Sequence, residues 1–150
     1  MNAWCTFRLG GHQYGIDVRR VQEVLGACDV SPLPLAPRGV RGLVNLRGQI
    51  VTAIDPRVLL DVAGRTSERS PHLVVTHAGA PVSLLVDSVG DVERVPDDGL
   101  QPAPDTLELR RRALVKGAAP LPGRLLVVLD LDRVLEAAFE IGRASCRERV

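Results

Sequence analysis

The sequence predicts an all-β protein with short helices, on three grounds. Its apolar content of 45% is almost wholly aliphatic, with two Phe, one Trp and one Tyr as the only aromatics. Val and Leu favour pleated strands and a packed core, while 14 Gly and 11 Pro spread along the chain favour many short strands joined by turns. Paired strand patterns also flank Gly-bearing turns at Gly10-Gly11, Arg47-Gly48 and Ala78-Gly79-Ala80. At 150 residues the chain fits one domain, or two small lobes sharing a core, and folding buries about 70% of the unfolded surface.

Taken in order, Trp4 to Leu9 and His12 to Asp17 read as a first hairpin around Gly10-Gly11. In Val18 to Leu25 the helical spacing puts Val18, Val21 and Leu25 on one stripe, which predicts a short helix ended by Gly26. Pro32, Pro34 and Pro37 make Asp29 to Arg41 an extended connector. Gly42 to Leu46 and Gln49 to Ile54 form a central hairpin with a cationic residue, Arg47, at its tip. Asp55 and Pro56 then fit the N-cap and first position of a short helix over 56–61.

The polar stretch Val62 to Pro71 reads as a surface linker, and the second half repeats the plan. His72 to His77 and Pro81 to Asp87 form a hairpin, and Val89 to Val95 a further strand. A Pro/Asp-rich loop spans Pro96 to Leu107. Ala113 to Ala118 and Arg124 to Asp130 pair as strands, and Leu131 to Phe139 reads as a helix. Gly48 to Asp55 has the spacing of Gly123 to Asp130, and Gly15-Ile16-Asp17 echoes Leu85-Val86-Asp87, which favours two similar β-lobes. The expected division is a single domain over 1–140, with lobe one about 17–71 and lobe two about 72–130, strand exchange between them being allowed. The run 141–150, IGRASCRERV, resembles a vector-encoded scar more than fold-forming sequence.

Charge and motif content argue against several function classes. With 19 basic and 18 acidic residues the net charge is +1, which gives no electrostatic reason to expect nucleic acid or an anionic membrane as partner. No apolar run approaches the roughly 20 residues of a bilayer span, and the N-terminus lacks signal-peptide order, so the expected location is the cytoplasm. Cys5, Cys28 and Cys146 lie far apart without a C-x-x-C, suggesting neither a disulfide framework nor a zinc site. The serines lack a nucleophile-elbow setting, and the glycines fit no phosphate-binding fingerprint. His72 and His77 are five apart on one strand and point to opposite faces; with His12 they read as surface or strand-end imidazoles. Asp130 and Asp132 read as helix-capping carboxylates. The expectation is therefore no catalysis, no cofactor and no metal.

What remains is surface. Val21 and Glu23 on the first expected helix, and Arg47 at the hairpin tip, are candidate contacts for a partner. An Arg beside Gly is ordinarily a solvated turn residue, and the spacing of Val21 fits packing on its own fold.

The order F-x-L-G-G-x-x-Y-G-I-D-V-x-x-V-Q-E-V over Phe7 to Val24, followed by P-x-x-x-R-G-L-V-N-L-R-G-Q-I-V-T-A-I-D over Pro37 to Asp55, resembles the CheW chemotaxis coupling proteins. Val86 to Val92 is similar to the family's V-D-x-V-x-x-V segment, and Leu125 to Leu135 to its closing I-L-I-L-D-x-x-x-L-L pattern. The resemblance implies two five-stranded SH3-like β-barrels sharing a hydrophobic core. It implies a non-enzymatic adaptor that docks on the regulatory domain of a CheA-type histidine kinase and on the cytoplasmic hairpin tip of methyl-accepting chemoreceptors. Nucleic acid and direct membrane insertion have no place in that function. It assigns Arg47, Glu23 and Val21 to a receptor-binding side, with Gly42 and Val44 beside them. That overturns the solvated-turn reading of Arg47. Kinase docking in the family uses exposed apolar barrel ends, and no residue here is matched to them. A coupling protein of a non-flagellar system, such as twitching motility, is the alternative within the family. A small barrel binding single-stranded nucleic acid would need basic grooves and aromatic platforms that four aromatics and near-zero net charge do not supply.

Overall fold

The computed structural model describes residues 2–62, 69–103 and 112–148. The strands are β1 (Asn2–Leu9), β2 (His12–Asp17), β3 (Val21–Leu25), β4 (Val40–Leu46), β5 (Gln49–Ile54), β6 (His72–His77), β7 (Ala80–Leu85), β8 (Ser88–Val95), β9 (Val115–Leu121) and β10 (Arg124–Leu129). Helices α1 (Pro56–Leu60) and α2 (Leu131–Glu148) accompany them. Most of the expected linker over 62–71, and the Pro/Asp-rich loop beyond residue 103, lie outside the described residues.

The strands form two five-stranded sheets, ordered β3-β6-β7-β5-β4 and β8-β1-β2-β10-β9. Each sheet takes a hairpin from one half of the chain and three strands from the other. The β6–β7 hairpin enters the first sheet between β3 and β5, and β1–β2 enters the second between β8 and β10. Both insertions make one antiparallel and one parallel seam: β7 runs parallel to β5 through Thr52↔Val82, and β2 parallel to β10 through Leu126↔Gln13. The sheets therefore do not divide at residue 71, because a three-residue 3-10 turn at Val18–Arg20 carries the chain from one sheet to the other.

That turn also replaces the helix expected over 18–25. The Asp17 carboxylate accepts from the Arg19 amide at 3.0 Å and caps a single turn, after which Val21–Leu25 is a strand paired with β6. Three valines in eight residues suit a strand, and the ladder to β6 outweighs a helical spacing that would bury only one narrow stripe. On β3 the burial alternates with period two, so Val21, Glu23 and Leu25 are half-buried and Gln22 and Val24 exposed.

Other local expectations agree with the structure. The α1 cap is Asp55, whose Oδ1 accepts from the Arg57 amide at 3.1 Å, with Pro56 at the helix start. Asp130 does the same for α2, its carboxylate accepting from the Arg133 amide at 3.3 Å. The α2 helix was expected to stop near Phe139 but continues to Glu148, passing through Gly142. One Gly in a helix interior costs about 1 kcal/mol against Ala, which does not by itself end a helix.

One apolar core spans both sheets. Phe7, Leu9 and Ile16 from the second sheet meet Leu73, Val75 and Leu84 from the first, and Leu59, Leu135 and Ala138 from the helices close it. Burying each large side chain contributes about 1.5–3 kcal/mol. A smaller cluster around Trp4, Leu126 and Val128 fills the second sheet, and another of Val44, Ala53 and Leu85 fills the first. His72 departs from the expected surface imidazole: it is 1% exposed on the interior strand β6, with Nδ1 2.7 Å from Ser83 Oγ. Burial pushes its pKa below the usual imidazole value. His77 stays half-buried at the strand end, 3.4 Å from Asp132.

Candidate functional site

The β4–β5 hairpin closes in two residues, so its register is fixed by Leu46↔Gln49 and Asn45↔Ile50. Arg47 (φ +53°) and Gly48 (φ +85°) are both left-handed, the combination whose twist matches that of the flanking strands. Gly takes this conformation freely; Arg does so under mild strain. The Asn45 side chain reaches into the turn, its Oδ1 accepting from the Gly48 amide at 2.9 Å.

The Arg47 guanidinium donates to Glu23 Oε2 at 2.8 Å, joining the hairpin tip to edge strand β3. The arginine side chain is 75% exposed and the glutamate 26%. A pair so exposed contributes little to stability, about 0–1 kcal/mol, so its consequence is geometric: it fixes where the cation stands. Although Arg47 is paired with an acidic residue of its own chain, it is not locked inside the molecule.

Beside this pair lies an open groove of about 490 Å³. Gln22 and Glu23 of β3 form one wall, Leu46, Arg47 and Gln49 of the β4–β5 hairpin another, and Gly79 and Pro81 of the β6–β7 hairpin the third. Sequence reading brought out Arg47 and Glu23 but missed the two glutamines and the β6–β7 turn. Those come from three separated segments, and only the strand exchange brings them together.

The other expected site residues hold different places. Val21 lies on the same strand as Glu23 but is half-buried against the shared core. Val44 is 3% exposed in the small cluster with Ala53 and Leu85. Gly42 is buried where the connector crosses edge strand β4: Ser31 and Leu43 exchange two backbone hydrogen bonds of 2.8 and 2.9 Å, and a Cβ on Gly42 would strike the Ser31 carbonyl. Gly42 and Val44 are therefore buried at the base of the hairpin, the first against the Ser31 backbone and the second in the small cluster.

The second sheet carries a counterpart that sequence reading also missed. Arg124, next to Gly123 at the β9–β10 turn, pairs with Glu93 of edge strand β8. Gly117 matches Gly42, since a Cβ there would strike the Gln101 carbonyl across the Gln101↔Ala118 bridge. The echo of Gly48 and Gly123 was the signal from which both could have been found.

The titratable groups elsewhere serve packing and pairing. Arg20 donates to Thr76 O and to Asp132 Oδ1, both at 2.7 Å, and its hydrogen bond holds the Asp132 carboxyl below the usual range. Asp130 and Asp132 are thus a helix cap and an ion-pair partner, two separate tasks. Cys5 and Cys28 are free thiols, and burial pushes Cys5 up. Among the described residues no group of three or more His, Cys, Asp or Glu is placed to hold a metal ion. No helix among them is long and apolar enough to cross a membrane.

Two exchanged β-sheets with an exposed, braced cation above a polar groove define a module shaped to dock another macromolecule. Residues 4–139 match the model of the CheW-like domain. The chain is 32% identical over 130 residues to chemotaxis protein CheW of Rhizobium meliloti, covering 86% of this chain and 84% of that protein. It is 32% identical over 132 residues to chemotaxis protein CheW of Klebsiella aerogenes, with 87% and 80% covered. The structure of scaffolding protein TtCheW from Thermoanaerobacter tengcongensis superposes with a TM-score of 0.80 at 26% identity, covering 90% of this chain and 92% of that one. The chain belongs to the CheW-like domain family, a family of chemotaxis coupling adaptors.

Proposed function

We propose that this protein is a non-enzymatic adaptor that couples methyl-accepting chemoreceptors to a CheA-type histidine kinase in the cytoplasm, at the inner face of the membrane. The observation that carries the reading is Arg47, held 75% exposed by a two-residue turn at the rim of a groove. The cytoplasmic tip of a receptor is a helical hairpin, and a groove with a charged and amide lining suits the polar face of such a helix. Glu23 and Arg47 meet polar groups of that helix and fix its register, while Gln22 and Gln49 offer amide donors and acceptors alongside. Val21 sets the height of the β3 wall from its half-buried place, and Gly42 and Val44 keep the hairpin stiff.

Binding kinase and receptor at once raises the effective concentration of each for the other, and no bond is made or broken. The test is co-sedimentation of the kinase with receptor-bearing membranes. The wild-type protein brings the kinase down with the membranes. Arg47→Ala keeps its kinase complex in solution but leaves it in the supernatant. Equal sedimentation by both proteins would contradict the assignment.

A further inference from the structure

We infer that Asn45 is the residue that positions Arg47 for its partner, an inference that rests on the docking role proposed above. Three observations carry it. Arg47 holds a left-handed backbone angle (φ +53°) that a side chain other than Gly resists. The Asn45 Oδ1 accepts from the Gly48 amide at 2.9 Å, closing the turn from within the hairpin. The Arg47 guanidinium then meets Glu23 Oε2 at 2.8 Å, on a strand at the opposite edge of the sheet. The strain at Arg47 and the strength of one such hydrogen bond are of the same order. Loss of the brace therefore shifts part of the population away from the conformation that carries the guanidinium over the groove.

The other hairpins show that the brace is particular to this turn. The β1–β2 and β6–β7 turns have the same two left-handed residues, Gly10 with Gly11 and Ala78 with Gly79. Two places before those turns stand Arg8, whose side chain has no acceptor, and Thr76. Of these three turns only the one at Arg47 has an amide oxygen placed to lock it, and the β9–β10 turn beside Arg124 has Pro120, Leu121 and Pro122 before its glycine and no amide side chain. Asn45 is itself exposed, so a direct touch to the partner is the competing explanation, and the test separates the two.

The experiment measures binding of a purified receptor cytoplasmic hairpin fragment to the wild-type protein, Asn45→Ala, Asn45→Asp, Arg47→Ala and Asn45→Ala/Arg47→Ala. Arg47→Ala weakens binding by about tenfold. Asn45→Ala weakens it by about fivefold, the worth of one hydrogen bond, and Asn45→Asp, which accepts from the same amide, restores it. The double variant binds no worse than Arg47→Ala alone, because Asn45 acts only through Arg47. A fivefold loss on the Arg47→Ala background, or none on the wild-type background, overturns the inference. The Arg47 Nη2–H resonance decides the positioning step without any partner: it shifts toward its unfolded-chain position in Asn45→Ala, and an unmoved resonance overturns the step. Arg47→Ala binding as well as wild type overturns the docking role instead, with that resonance still deciding whether Asn45 sets the turn.

Discussion

The Gly10 amide donates to the Asp87 carboxylate at 2.9 Å, joining positions 77 residues apart in the sequence. The same carboxylate pairs with Arg57 of α1, whose side chain is only 7% exposed. The Asp87 amide in turn donates to Arg8 O at 3.0 Å. One aspartate thus ties the β1–β2 turn of the second sheet to the helix that follows the first.

Asp87→Ala should destabilise the fold by about 2 kcal/mol, since it removes a charge partner of the buried Arg57 guanidinium together with the acceptor of the Gly10 amide. Urea unfolding checks this, and a loss under about 1 kcal/mol would mean the latch is solvated. Arg57→Met, which removes the buried charge together with its need for a partner, should cost less than Asp87→Ala.

Gly42→Ala should destabilise by about 3 kcal/mol, because the new methyl meets the Ser31 backbone instead of a side chain that could swing aside. The strap from Ser31 to Leu43 would have to lift from β4. Amide exchange at Leu43 and Ser31 reads this directly. Protection unchanged from wild type would show that the connector gives way at no cost.

Glu23→Ala should leave stability within about 1 kcal/mol of wild type, as expected for an exposed pair, while freeing Arg47 from its fixed position. Thermal melting with and without 0.5 M added salt, roughly, would separate the cases: a well-screened pair gives matching curves for the two proteins at high salt.

His72 makes stability depend on pH in a stated direction. Burial holds its folded pKa below the ordinary value of 6.5, so the unfolded chain takes up a proton first as pH falls. Stability is level at higher pH, declines as pH drops through 6.5, and stops declining once the folded pKa is passed. His72→Gln keeps an amide beside Ser83 but does not titrate, so its stability should fall less over the same interval. Parallel curves for the two proteins would assign the pH dependence to other groups.

Much of this fold was legible in the sequence because its turns are written in local chemistry. Gly10-Gly11, Arg47-Gly48 and Asp55-Pro56 each specify a backbone path within a few residues, and all three lie where expected. The helix expected over 18–25 failed because Val21 and Leu25 fit a helical stripe and a strand alike. Only the distant partner β6 decides between them. His72 was misplaced for the same reason: that β6 lies inside a sheet, flanked by β3 and β7, depends on strands from both halves of the chain. Of the site, the pair of Glu23 and Arg47 could be named from motif, whereas Val44 and Gly42 belong to the support beneath it. That distinction requires knowing which face of β4 looks inward.

The central claim is that a receptor helix lies in the groove beneath Arg47, and a photo-crosslinking residue placed at Gln49 tests it most directly. With receptor hairpin present, Gln49 should label the receptor, while the same probe at Leu125, exposed on the other sheet, should not. Labelling from Leu125 with none from Gln49 would move the docking surface to the second sheet and contradict the account.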